Sequence, residues 1–363
     1  MLSMDELNGL RAEIDRIDNE IVRLINKRAE IAVEVGRVKE KNGLDSFYAP
    51  ERERIIFQRL EKINPGPFPI DALKMVYREI LSGSLSLERP LQVAYLGPDA
   101  TFSHQAAIRA FGSSTHFIPV SSFKDVFRAV ESGDAQYGVV PVENSTEGIV
   151  TYTIDLFIDS ELRISSEILL DVSNNLLSVS GDKERVKKIY SHPQPTAQCR
   201  NWLEMHMKGI PVVDVSSTAI AAEMAAADPD SAAIASEYAA RRYNLAFINR
   251  RIQDRQNNVT RFLVISKDIP HRTGHDKTSL LLSIKDRAGA LLDILAPFSL
   301  HGLNLSRIQS RPSKKRAWEY IFFIDLVGHV EDAPVARALE EVGKACLFLK
   351  ILGSYPSAEL NSL

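Results

Sequence analysis

The chain has 363 residues, of which 45% are apolar and 25% charged, with a formal net charge of −3. At about 150 residues per domain this suits a globular protein of two or three domains, and the balanced charge exerts no overall pull toward nucleic acid. No stretch reaches the ~18 apolar residues of a membrane span, the opening MLSMDELNGLRAEIDR shows no basic-then-apolar leader, and Cys199 and Cys346 are too few for a zinc site, which reads as a reduced, cytoplasmic compartment.

Residues 1–88 read as charged helices. Ile14, Ile17, Ile21, Leu24, Ile31, Val35 and Val38 keep a heptad rhythm, and no proline interrupts residues 5–41. So long an apolar stripe needs a second helix to cover it, which predicts a dimer. Arg28 breaks the rhythm by occupying an apolar slot. At about 100° per residue, Arg28 and Lys39 fall on one face, whereas Arg11 points elsewhere, toward a neighbouring helix or a partner chain. Farther on, Leu73, Tyr77, Ile80, Ser84 and Glu88 form another stripe, whose last two members are polar. Arg52 and Glu53 follow Pro50 at a helix start. Any one of these is an ordinary coiled-coil charge; together they are polar groups on faces that should be apolar, and buried charge needs a partner. A dianionic ligand would supply it.

In LRAEIDRIDNEIVRLINKRAEIAVEVGRVK and PERERII the sequence resembles a chorismate mutase of the all-helical, dimeric type. The resemblance implies that Arg28 and Lys39 bind substrate in one chain and that Arg11 reaches in from the other. It places Arg52 and Glu53 near the substrate ring, Ser84 at a carboxylate and Glu88 opposite the ether oxygen. Relatives often carry Gln at this last position. An ionised Glu88 would repel the negative charge that develops there, and a protonated one would donate to it, which predicts activity rising toward acid pH. Ala49 replaces an acidic residue of some relatives.

Pro90 closes the helical region, and residues 91–266 alternate short apolar strands with helices, predicting an α/β fold with a largely parallel sheet. Polar clusters sit where strands end: YLGPDATFSHQAA, VVPVENSTEG, YSHPQPTAQC and VSSTAIAAEMA. Ligands bind outside the carboxyl ends of strands in open α/β sheets, although each Ser/Thr cluster also reads as a plain N-cap. His104 and His192 each suit a structural role. In QNNVTRFLVIS a buried strand has a polar entrance that contains Asn258, Thr260 and Arg261. These segments resemble the signature segments of prephenate dehydratases, in the family's order. The resemblance implies two α/β lobes like those of a periplasmic binding protein, with the site in the cleft between them. It implies Thr260 as the acid assisting departure of the ring hydroxyl, and Asn144, Ser217 and Thr218 as carboxylate binders. Arg261 reads equally as a carboxylate anchor or a surface ion pair.

SKDIPHRTGHDK (266–277) reads as a linker. The expected order beyond it is strand 278–284, helix 288–300, strands 303–311 and 317–326, helix 331–343 and strand 346–353, a βαββαβ ferredoxin-like module. The basic hairpin RPSKKRAWEY reads as a solvated tip rather than a nucleic-acid contact, and YPSAELNSL as a frayed tail. The module resembles an ACT domain. AGALL and QSRP match its effector segments, which implies L-phenylalanine bound by Gly289, Ala290, Leu291 and Leu292 with Gln309, Ser310, Arg311 and Pro312, between paired modules. Gln309 stands for the usual Glu, and Ala288 for a common Pro.

The expectation is therefore a multidomain chain. An all-α dimeric chorismate mutase domain covers 1–89. A two-lobed α/β, periplasmic-binding-protein-like dehydratase domain covers 90–268, and a βαββαβ ferredoxin-like ACT domain covers 276–355. Its partners would be chorismate, prephenate, L-phenylalanine as inhibitor and a second copy of itself, with no cofactor, metal, nucleic acid or membrane. The competing readings are a ligand-sensing protein without turnover, which the intact VTRF segment and mutase cations oppose, and a dehydratase acting on arogenate.

Overall fold

The computed structural model describes residues 4–43, 48–284, 287–312 and 320–358, which divide into two units. The first takes in the chain up to residue 49, then 55–91 and 111–116, while residues 50–54 group with the second. Helix α1 spans Met4–Lys41, α2 Pro50–Ile63 and α3 Ile70–Glu88. Pro50 opens α2 because a missing N–H costs nothing in a first turn. Helix α1 packs along α3, and Gly36 permits the approach: a Cβ there would collide with Cγ of Glu88. The heptad residues Ile14, Ile17, Ile21, Leu24, Ile31, Val35 and Val38 all stay exposed within the single chain. Among the described residues no helix is long and apolar enough to cross a membrane.

The second unit opens with β1 (Gln92–Leu96), α4 (Phe102–Phe111), β2 (His116–Val120), α5 (Phe123–Ser132), β3 (Tyr137–Asn144), β4 (Gly148–Ile149), α6 (Thr151–Asp159) and β5 (Arg163–Asp171). The chain then crosses to a second sheet through β6 (Asn175–Ser178), β7 (Lys188–Ser191), α7 (Pro193–Gln198), α8 (Arg200–His206), β8 (Val212–Asp214), α9 (Thr218–Ala226), β9 (Ser231–Ala235), α10 (Glu237–Arg242) and β10 (Ala246–Asn249). It returns as β11 (Val259–Ser266). The sheet orders are β2-β1-β3-β11-β5 and β10-β6-β9-β7-β8.

The expected largely parallel sheet is corrected: both sheets are mixed. Strands β1 and β3 are parallel, but β11 runs antiparallel to β3 and β5. In the other lobe β7 is parallel to β8 and β9, and β6 antiparallel to β9 and β10. The reason is the crossing. Strand β11 enters the first sheet from the second lobe rather than through a right-handed βαβ connection, and hydrophobic periodicity carries no strand direction.

The linker is tighter than expected. Ser266 ends β11 and Asp276 begins the next strand; its buried carboxylate accepts from the Thr273 and Gly274 N–H groups at 2.8 and 2.9 Å. The C-terminal module follows as β12 (Asp276–Ile284), α11 (Ala290–Leu300), β13 (Leu305–Pro312), β14 (Tyr320–Val327), α12 (Ala333–Ala345) and β15 (Phe348–Pro356). Its sheet order is β13-β14-β12-β15, antiparallel throughout. Helices α11 and α12 cover one face. The other face packs on the first lobe, with Leu281, Phe323, Leu352 and Tyr355 sharing a core with Val140, Ile164 and Leu263. The expected frayed tail is corrected at its start: Tyr355 lies within β15, which runs to Pro356, and is fully buried. The hairpin tip at 313–319 and the last residues, 359–363, lie outside the described residues.

Candidate active sites

In the helical unit the two cations that share a face of α1 both reach α3. Arg28 Nη1 donates to Ser84 Oγ at 2.7 Å, and Lys39 Nζ pairs with Glu88 Oε1 at 2.9 Å. Ser84 and Glu88 stand one turn apart, both largely buried, and Ser84 anchors its own hydroxyl on the Ile80 carbonyl at 2.7 Å. The polar end of the α3 stripe thus meets the polar face of α1. Glu88 serves as counter-ion to Lys39. Arg11 is exposed, 17 residues before Arg28, so about 25 Å along the helix; one ligand cannot touch both on a single α1. Arg52 and Glu53 lie in the first turn of α2.

In the second unit the polar entrance of β11 faces the end of β3, with Thr260 opposite Asn144 in register. Asn144 Nδ2 donates to Thr260 Oγ1 at 2.9 Å and to Asn258 Oδ1 at 2.7 Å. Asn144 Oδ1 accepts from the Thr146 N–H at 2.9 Å and the Glu147 N–H at 3.2 Å. The amide is thereby fixed, and Thr260, as an acceptor from it, keeps its own O–H to donate. The second lobe joins through Gln198 at the end of α7, whose Oε1 accepts from Asn258 at 3.1 Å and whose Nε2 donates to Glu147 at 2.8 Å. A cavity of about 340 Å³ opens beside this cluster, lined by Thr146, Glu147, Gln198, Gln253, Arg255 and Asn258. That is within the usual range for a small-molecule pocket.

Ser217 caps α9 in the second lobe, accepting from the Ile220 N–H at 3.1 Å, and Thr218 is buried beside it. His192 is likewise an N-cap, of α7. His104 accepts from the Ala100 N–H at 3.1 Å and stacks on Tyr95. Burial pushes its imidazole below the ordinary range, so it is held neutral as a structural acceptor. Burial also pushes the thiols up, to about 12 for Cys199 and about 11 for Cys346, which removes both as nucleophiles near neutral pH.

Arg261 is corrected on both counts, being neither a cleft anchor nor a surface pair. It is buried, donating to Glu167 at 2.7 Å, Asp325 at 2.5 Å and Tyr355 at 2.9 Å. Burial alone would lower its guanidinium, yet the surrounding Tyr355, Asp325 and Glu167 hold it above its ordinary range. Alternation along a strand sends neighbours to opposite faces, so Thr260 and Arg261 serve different sides of one sheet.

In the C-terminal module Gly289 has φ +81, a left-handed conformation that suits glycine at the entry to α11. Ala290 is buried, whereas Leu291 and Leu292 are 42% and 69% exposed. Gln309, Ser310 and Pro312 are exposed on β13, an edge strand. Arg311 turns instead to the first lobe and pairs with Asp155. Sequence reasoning missed Gln198 and the ionic residues Glu167, Arg307 and Asp325, and it placed Glu143 among the polar groups at a strand end rather than in an ion pair. Gln198 had a local signal, lying within the quoted YSHPQPTAQC run.

Comparison with known proteins supplies the wider context. Family descriptions match at residues 10–89 (chorismate mutase type II), 93–270 (prephenate dehydratase) and 278–344 (ACT domain). A bifunctional chorismate mutase/prephenate dehydratase of Aquifex aeolicus is 51% identical over 362 residues, covering 99% of this chain and 100% of the relative. A crystal structure of prephenate dehydratase from Arthrobacter aurescens in complex with L-Phe is 34% identical, with a TM-score of 0.68, over 73% of this chain and 90% of that one. A solved quorum-quenching acylase, GqqA, is 29% identical with a TM-score of 0.66, over 74% of this chain and 98% of that one. This last likeness shows that one architecture carries more than one reported activity.

Proposed function

The chain belongs to the family of bifunctional chorismate mutase/prephenate dehydratases, and from that premise we propose how its residues divide the work. It rearranges chorismate to prephenate, then converts prephenate to phenylpyruvate with loss of carbon dioxide and the ring hydroxyl.

The rearrangement is a one-molecule pericyclic shift. Rate comes from holding the folded conformer and from stabilising charge on the breaking ether oxygen. Arg28 and Lys39, aligned on one face of α1, take the substrate carboxylates and ether oxygen. Ser84 and Glu88 complete that face, Arg52 and Glu53 contact the ring, and Arg11 of a second copy closes the site. The exposed apolar stripe of α1 and the separation of Arg11 from Arg28 support a dimer.

In the second reaction the C–O bond to the ring hydroxyl breaks as the C–C bond to the carboxylate releases its electron pair into the ring. The leaving hydroxyl takes a proton and departs as water. Thr260, held by Asn144, donates a hydrogen bond to that oxygen. A threonine hydroxyl is too weak an acid to give up its proton outright, so it assists or relays. Asn144, Ser217 and Thr218 bind carboxylates across the cleft between the two lobes, an arrangement like that of periplasmic binding proteins. L-phenylalanine binds at Gly289–Leu292 and at Gln309, Ser310 and Pro312 of paired ferredoxin-like modules; the exposure of Leu291, Leu292 and Gln309 supports a second copy covering them. The domains run 1–89, 90–268 and 276–355, and two free cysteines suit a cytoplasmic setting.

The observation that carries the dehydratase reading is the 2.9 Å bond from Asn144 to Thr260. The test is a time course from chorismate, following prephenate and phenylpyruvate with and without L-phenylalanine, for the parent and for Thr260→Ala. The parent makes phenylpyruvate, and L-phenylalanine diminishes it. The variant accumulates prephenate, with dehydratase turnover down about 100-fold or more, the scale of general acid assistance. Equal loss of both activities would indicate misfolding, and intact turnover would return Thr260 to a plain strand residue.

A further inference from the structure

The strand pair that presents Thr260 and Asn144 on one face presents Arg261 and Glu143 on the other, again directly opposite in register. Both reverse-face residues are taken up by the C-terminal module. Glu143 pairs with Arg307 of β13, and Arg307 Nε reaches Asp325 Oδ2 of β14 at 3.5 Å. The same Asp325 oxygen receives Arg261 Nη1 at 2.5 Å, while Ser279 holds the other Asp325 oxygen at 2.5 Å. Arg261 continues to Glu167, which also receives Lys277 at 2.8 Å. The circuit balances Arg261, Arg307 and Lys277 against Glu143, Glu167 and Asp325, and the side chains of Glu167 and Asp325 are at most 1% exposed. In such a low-dielectric place, the loss of one member leaves its partner's charge uncompensated and displaces it.

We propose that Arg307 and Asp325 are positioning residues for the dehydratase reaction, holding Asn144 and Thr260 in place through Glu143 and Arg261. The inference rests on the reading of Thr260 and Asn144 as the dehydratase site. Neither Arg307 nor Asp325 lines the cavity; each holds, from the reverse face of the sheet, the side chain of a residue adjoining Asn144 or Thr260. Arg307 also shares β13 with the segment proposed to contact the effector, so a shift of that strand would reach Glu143 through Arg307 without crossing the cleft.

The test uses the full-length chain, with both activities measured on Arg307→Met, Arg307→Lys, Asp325→Asn and the Arg307→Met/Asp325→Asn double variant. In Arg307→Met, dehydratase kcat falls about 10-fold, the KM for prephenate rises by a smaller factor and the mutase rate stays within about twofold. Arg307→Lys, which keeps the charge, recovers most of the loss. The double variant loses no more than its worse single parent, because one circuit is being broken twice. Unchanged kcat, a rise in KM without a fall in kcat, or multiplicative losses in the double variant would each overturn the proposal. Thr260→Ala, assayed in parallel, separates the two levels. If it is inactive while Arg307→Met is normal, the positioning role alone falls; if it turns over normally, the reading of the site falls with it.

Discussion

Arg261 shows how far one residue can sit from its neighbour in role. It follows Thr260 directly, yet it is enclosed by Glu167, Asp325 and Tyr355 on the reverse face of the sheet. In the sequence it is a cation at the polar entrance of a strand, and neither a carboxylate anchor nor a surface pair describes it. Its partners lie 94, 64 and 94 residues away along the chain, beyond any local pattern. Arg28 and Lys39 are the opposite case, since helical periodicity alone aligned them and both reach α3. Glu88, however, is tied to Lys39 rather than standing alone. In the proposed site its carboxylate faces the breaking ether oxygen, where an amide N–H would serve the developing negative charge better than a carboxylate. Glu88→Gln should therefore raise mutase kcat several-fold. Initial rates of parent and variant at one pH test this; an unchanged or lower kcat would show that Glu88 does not face the reacting oxygen.

Among the elements, β11 and β15 do most to connect the second unit. Strand β11 re-enters the first sheet between β3 and β5 and carries Thr260 to Asn144. Its apolar run was legible from sequence; its antiparallel direction was not, because that follows from a crossing made nearly ninety residues earlier, as the chain left β5. Strand β15 shows what close packing demands. Gly353 lies against the backbone of Ile164 in β5, and a Cβ there would overlap the Ile164 carbonyl oxygen. Backbone cannot swing aside as a side chain can, so Gly353→Ala should destabilise the second unit by about 1–3 kcal/mol, the usual cost of overpacking. Chemical denaturation followed through dehydratase activity reads this, and an unchanged midpoint would mean the two strands have room to part.

At the scale of the whole molecule, α1 leaves an apolar stripe uncovered in the single chain. Ile14, Ile17, Ile21 and Leu24 are each close to half exposed or more, and contiguous apolar surface of that kind marks an interface. A second copy would cover it and bring Arg11 to a site that its own Arg28 cannot share. Mutase turnover per chain should consequently fall on dilution below the dimer dissociation constant, and an Ile17→Glu/Ile21→Glu variant should sediment as a smaller species with about 100-fold or lower mutase activity, the scale expected when an electrostatic contact in the transition state is lost. A monomeric variant with full activity would show that Arg11 is not needed from a partner.

The sequence by itself determined what is local or periodic. The heptads of the first helix, the shared face of Arg28 and Lys39, the polar ends of the strands and the order of elements in the C-terminal module all repeat within a few residues, where propensity and side-chain spacing act. Tertiary structure alone decided which distant charges meet. The circuit of Glu143, Arg307, Asp325, Arg261 and Glu167, the burial of Tyr355 and the mixed direction of both sheets depend on long-range pairing between segments. Nothing in the residues adjoining them distinguishes a buried ion pair from a solvated one, because the cost of desolvating a charge is set by what packs over it.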